Sequence, residues 1–136
     1  MNLQTFTSFD GRIPRKTFWL AILVMIVITW ILEFILFAIF GVSMMSVDPN
    51  ATPEAQAMAM QESFGRMTVP LVILILLTLW PSLAIYAKRW HDRDKSGWWS
   101  LIMLVPLIGA LWMIIELGFL RGTEGPNRFG PDPIAD

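Results

Sequence analysis

His91, Asp92 and Ser96 stand close together in the densest run of charge in the chain, Lys88-Arg-Trp-His-Asp-Arg-Asp-Lys-Ser-Gly-Trp-Trp99. An imidazole, a carboxylate and a hydroxyl are the parts of a hydrolytic triad, in which the hydroxyl attacks, the imidazole takes its proton and the carboxylate orients the ring. The spacing argues against that use here. Adjacent residues on a helix point away from each other, and Ser96 precedes an apolar run, where its hydroxyl serves as a helix cap. No nucleophile-elbow signature is present either. There is no cysteine and only one histidine, so a zinc site would have to rest almost wholly on carboxylates, against the metal's preference. No catalytic residue, metal or cofactor is assigned, and the expectation is a protein that is not an enzyme.

The cations in this stretch suit binding better than catalysis. Arg89 and Arg93 fall one helical turn apart if a helix continues into the stretch, and Arg12, Arg15 and Lys16 precede the first apolar run. Together they are expected to form a basic belt with Asp92 pairing one of the arginines. Such a belt attracts anionic lipid head groups, can equally receive an acidic partner or a phosphate-bearing ligand, and at the least fixes orientation. Trp98 and Trp99, with Trp90, supply rings of the kind that settle at a membrane–water boundary. The candidate lipid- or partner-binding residues are Arg12, Arg15, Arg89, His91, Asp92, Arg93, Trp98 and Trp99. Two carboxylates, Glu33 and Glu116, interrupt apolar runs, where a charge is costly and normally faces protein, water or an ion. They snorkel to the interface or form an ion site.

The elements that position these residues follow from composition and pattern. With 55% hydrophobic and 15% charged residues in 136 and a mean hydropathy of +0.58, the chain is too apolar for a soluble domain of its size. A net charge of -1 gives no basic field for nucleic acid. Residues 17–40 are nearly uninterrupted apolar residues, roughly 36 Å as a helix, enough to cross a bilayer, and Gly41 stops them. Residues 42–68 form a loop with a turn at Asp48-Pro49-Asn50 and a short helix over 53–67, started by Thr52-Pro53-Glu54. The second span, 69–87, contains Pro70 and is kinked by Pro81, where Thr78 or Ser82 can satisfy the freed carbonyl. The third run, 98–120, is broken at Pro106-Leu-Ile-Gly109. One kinked crossing is favoured over a re-entrant hairpin, because neither half alone is long enough to span. The tail, 121–136, is a chain of turns.

Lys and Arg fall mainly in 1–16 and 88–97, with Arg66 alone in the middle loop. The positive-inside rule places the N-terminus and 88–97 in the cytoplasm and 42–68 outside.

Three separated segments, Gly11-Arg-Ile-Pro-Arg-Lys-Thr-Phe-Trp19, Arg89-Trp-His-Asp-Arg-Asp-Lys-Ser-Gly-Trp-Trp99 and Gly125-Pro-Asn-Arg-Phe-Gly-Pro-Asp-Pro133, resemble the domain of unknown function 805 family, the YhaH-like inner-membrane proteins of bacteria. The resemblance covers nearly the whole chain in order. Asp94 stands where a glycine is common, and the 42–68 loop is longer than usual. The resemblance implies a bacterial inner-membrane location and a helical fold, and no activity.

The fold expected is an all-α membrane protein: one domain over 1–136, a three-helix transmembrane bundle with a kinked or re-entrant third helix. The function expected is a multi-pass, non-enzymatic inner-membrane protein that binds lipid or another membrane protein, or a second copy of itself, through a cytoplasmic basic face. The alternative is a small transporter or channel subunit using Glu33 and Glu116.

Overall fold

The computed structural model describes residues 2–41 and 48–134. The start of the expected middle loop, 42–47, lies outside these. In chain order the helices are α1 (Gln4–Thr7), α2 (Arg15–Ile39), α3 (Pro53–Asp92), a 3-10 helix (Gly97–Leu104) and α4 (Ile108–Met113), which runs on as a π-helical segment (Ile114–Phe119). No strand occurs among the described residues. The chain divides into two compact units, Met1–Met25 with Leu79–Asp136, and Ile26–Thr78.

In the Ile26–Thr78 unit, the apolar residues of α2 and α3 point outward: Val27, Trp30, Phe34, Val72, Ile75 and Leu76 are all exposed. So much contiguous apolar surface marks a protein whose solvent is lipid. Helix α2 ends as its sequence requires. Gly41 takes a φ of 64°, the left-handed conformation that stops a helix and that glycine adopts without a Cβ penalty. Asp48 accepts the Asn50 N–H at 2.9 Å, closing the expected turn, and the Thr52 hydroxyl caps α3 by accepting the Ala55 N–H at 3.3 Å.

Helix α3 corrects one expectation. The short helix 53–67 and the span 69–87 are one continuous helix of 40 residues. Ala, Glu, Gln and Met before Pro70 are strong helix formers, and a proline inside a helix removes one hydrogen bond without having to end it. Nor does Thr78 serve the carbonyl freed by Pro81: its hydroxyl donates to Leu74 at 2.7 Å. Met60 and Phe64, in the first part of this helix, are exposed.

The other unit holds the third apolar run, which is not one kinked helix. It folds back between Leu104 and Ile108, and α4 packs along the 3-10 helix. At the reversal Leu107 has φ 63° and ψ −57°, and the Ile108 N–H donates to the Pro106 carbonyl at 2.7 Å. This is the rare, strained form of γ-turn. A Cβ on Gly109 would strike the Ile102 carbonyl, so the two legs can approach only because that residue is glycine. At about 2.0 Å per residue, the eight residues of the 3-10 leg reach roughly 16 Å, half the apolar thickness of a bilayer. Ser96 caps the first leg as expected, accepting the Trp98 N–H at 3.4 Å.

The apolar core of this unit joins all three apolar runs: Ile13, Phe18, Ala21 and Met25, Ile85 and Trp90, and Met113 and Leu117. The N-terminal segment is tied down against α3. Thr5 is buried, Lys88 donates to the Gln4 carbonyl, the Trp80 indole donates to Thr7 at 3.2 Å, and Phe9 meets Trp80 edge-on at 4.9 Å.

Candidate functional site

The returning leg of the hairpin ends in the π-helical segment and exposes its last carbonyls, which have no partner within the helix. Each receives a side-chain donor from the start of α2 or the end of α3. Arg89 Nε donates to Leu117 at 2.6 Å, and Arg89 Nη2 to Leu120 at 2.5 Å. The Trp19 indole donates to Gly118 at 3.1 Å, Arg15 Nη1 to Phe119 at 2.9 Å, and Arg93 to the Arg121 carbonyl. Four of these five bonds bring a cation to the last residues of this helix or the two that follow it, where the backbone dipole is negative. Gly118 leaves room for the Trp19 ring: a Cβ there would lie 2.6 Å from it.

Glu116, one turn earlier, completes this end. Its carboxylate accepts from Arg93 Nε at 3.1 Å and Lys95 Nζ at 2.5 Å. The ammonium of Lys95 also sits over the Trp90 and Trp99 rings, 5.6 and 5.4 Å from their centroids.

Asp92 is the second carboxylate. It is 3% exposed and accepts from Arg89 on one oxygen and from Arg12 at 3.0 Å on the other. A buried charge is tolerated only when paired and hydrogen-bonded, and Asp92 is both. Arg12 is fully committed as well, donating to the carbonyls of Thr123 at 2.6 Å, Gly125 at 2.8 Å and Gly130 at 3.3 Å. Those acceptors belong to the tail, which is therefore an ordered part of the site and not only a chain of turns. Gly122 passes so close to the Asp92 carboxylate that any Cβ would collide with it.

The tail also caps α3. Helix α3 ends with Lys95 N–H bonded to the Trp90 carbonyl and Asp94 N–H to His91, the Schellman arrangement, whose left-handed position usually needs glycine. Asp94 occupies that position, with φ 54°, so the turn forms without a glycine. Beyond it, Thr123 donates both its N–H and its hydroxyl to the Asp92 carbonyl, each at 2.8 Å, and Asn127 donates to the His91 carbonyl at 2.8 Å. Phe129 stacks on the His91 ring, centroids 3.9 Å apart, and Arg128 pairs with Asp94 at 3.2 Å. His91 Nδ1 donates to the Gly11 carbonyl at 3.2 Å. The carboxyl of Asp132 is held below its ordinary value of 3.8 by the backbone N–H groups of Ile134 and Gly125.

Of the residues singled out from sequence, Arg12, Arg15, Arg89, His91, Asp92 and Arg93 converge. They do so as a clamp facing inward: Arg12 and Arg89 side chains are 1% and 0% exposed, so they do not present the open basic face expected. Trp98 and Trp99 are exposed, while Trp90 is fully buried and is a core ring, not an interface ring; its indole N–H has no acceptor among the described residues. Glu116 joins the clamp. Glu33 lies in the other unit. His91, Asp92 and Ser96 have separate structural partners, and no cluster suited to a metal occurs among the described residues. Trp19, Lys95, Gly118, Gly122, Thr123 and Asn127 were not anticipated. Only the glycine-rich composition of 118–130 hinted at close backbone approach.

Two long apolar helices, a folded-back third run and a polar clamp at the helix ends define an α-helical membrane protein. A family profile described as "Protein of unknown function (DUF805)" matches residues 6–131, and the chain belongs to that family. It is 35% identical to Inner membrane protein YhaH of Escherichia coli (strain K12) over 96% of this chain and 91% of that protein. It is 32% identical to Inner membrane protein YhaI of the same strain, over 96% and 90%. With Uncharacterized protein YiiR the identity is 26%, over 95% and 88%. No solved structure matches. Of the segments that carried the resemblance, 11–19 and 89–99 supply the clamp's donors and 125–133 supplies the Gly125 and Gly130 carbonyls; the returning leg that accepts most of the bonds lies outside all three.

Proposed function

We propose that this protein is a non-enzymatic, multi-pass component of the inner membrane. Its N-terminus, 88–97 stretch and tail share the cytoplasmic side, and its clamped end engages anionic lipid or a neighbouring membrane protein. The observation that carries this reading is the distribution of charge. Of the ten Lys and Arg residues, all but Arg66 belong to the unit that holds the clamp. The positive-inside rule then orients the chain. The folded-back hairpin supports one side for all three segments, because Glu116 returns to Lys95, at the start of the same hairpin.

Inside that end the clamp is structural, and lipid or a partner meets the cations at its edge. The transport reading finds less support, since Glu116 is already committed to Arg93 and Lys95. Membrane-impermeant thiol labelling of single cysteines at Ser8 and Ser96, in a chain with no native cysteine, tests the orientation. Both are expected to react only after the cytoplasmic side is opened, and periplasmic reaction at Ser96 would overturn the reading.

A further inference from the structure

Bordering the clamp, and sharing Arg15 and Asp92 with it, lies a cavity of about 200 Å³ between the start of α2 and the tail. Three cations line it: Arg15 and Lys16 from α2, and Arg121 from the tail. All three are exposed. Arg15 spends one nitrogen on the Phe119 carbonyl, and Arg121 pairs with Glu124, which is itself 75% exposed, a contact that an incoming anion can displace at little cost. Two carboxylates also line the cavity, Asp92 and Asp132. Asp92 is neutralised by Arg12 and Arg89, and Asp132 accepts two backbone N–H groups. The balance favours an anion.

What flanks the cavity identifies the kind of anion. Trp19 and Leu20 follow Arg15 and Lys16 on α2, Phe119 and Leu120 precede Arg121, and all four are exposed. Trp19 and Phe119 meet edge-to-face with centroids 6.0 Å apart. A cationic cavity thus opens beside a wall of exposed aromatic and aliphatic side chains. A soluble phosphate would use the first and leave the second bare; an anionic phospholipid uses both.

We propose that Arg15, Lys16 and Arg121 form a binding site for the phosphate of an anionic phospholipid, with its acyl chain against Trp19 and Phe119. The site deepens the membrane reading above and rests on it. The volume suits the phosphate and its glycerol linkage, and the guanidinium groups can meet phosphate oxygens with paired donors.

The test is native mass spectrometry of the purified full chain, offered phosphatidylglycerol or phosphatidylcholine. The unaltered protein should retain phosphatidylglycerol preferentially. Each of Lys16→Gln and Arg121→Gln should weaken that retention about fivefold, the equivalent of roughly 1 kcal/mol per cation near the surface, with the thermal midpoint in detergent unchanged. Arg128→Gln, which removes an equal charge outside the cavity, should leave retention as it was. Equal losses from all three variants would overturn the site in favour of general attraction. Retention of both lipids alike, with inorganic phosphate displacing neither, would overturn it outright; displacement of phosphatidylglycerol by millimolar phosphate, with no effect of Trp19→Ala, would overturn the lipid assignment. None of these results bears on sidedness, which the cysteine labelling decides separately.

Discussion

At the scale of the residue, Asp92 decides more than any other side chain described. It neutralises two buried guanidinium groups at once, and its backbone carbonyl anchors Thr123. Replacing one partner of a buried ion pair leaves the other charged and dry, at a cost of about 3–5 kcal/mol. Asp92→Ala should therefore lower the thermal midpoint in detergent sharply. Asp94→Ala, at an exposed pair with Arg128, should shift it little, because such pairs contribute about 0–1 kcal/mol. Equal small shifts would mean that Arg12 and Arg89 are hydrated. Asp94→Gly should raise the midpoint, since glycine holds the same left-handed turn without the Cβ penalty and forfeits only the exposed pair. A lower midpoint would show that the Asp94 side chain matters more than its backbone.

At the scale of the element, the hairpin and the tail are held by backbone carbonyls accepting from side chains. This explains how unevenly the sequence revealed them. The apolar helical character of α2 and of the later part of α3, the stop at Gly41, the cap at Thr52 and the cap at Ser96 were legible because periodicity, hydropathy and capping residues act locally. Pairing of Asp92 with an arginine was legible from the density of charge. The direction of the third run was not: Pro106 and Gly109 fit a kink and a reversal equally, and only distant donors such as Arg89 and Trp19 choose between them. The tail reads as turns because it has almost no apolar periodicity; it is held by Arg12, far away in sequence, and no local pattern records that. The continuity of α3 through Pro70 was likewise invisible, since a proline reads as a boundary whether or not neighbouring residues carry the helix past it.

The same dependence on polar contacts predicts how the tail responds to acid. The Asp132 carboxyl is depressed in the folded chain, so its contribution is fully present above its ordinary value of 3.8 and is lost as pH falls through the lower folded value. Proteolysis near Gly125 should quicken only in that acid range, and Asp132→Asn should remove the dependence. An unchanged acid profile in Asp132→Asn would assign the effect to another group. In the hairpin, Gly109→Val should prevent the two legs from packing and lower the midpoint by several degrees, while Leu107→Gly, which relieves a strained φ, should raise it.

At the scale of the whole molecule, three segments distant in sequence, 11–19, 89–99 and 118–130, form one polar knot at the ends of apolar helices. The first two are segments that resemble the DUF805 family, and the third overlaps the remaining one, 125–133, only over 125–130. A hairpin that enters and leaves by the same face puts the tail beside the N-terminus. A third crossing would put it on the opposite side. Ile134, exposed near the end of the tail, separates these two arrangements. With single cysteines at Ser8 and Ile134 and a membrane-impermeant maleimide added to intact spheroplasts, both positions should be protected and both should react once the membrane is permeabilised. Reaction of Ile134→Cys in intact spheroplasts while Ser8→Cys stays protected would contradict the folded-back hairpin and the clamp built on it.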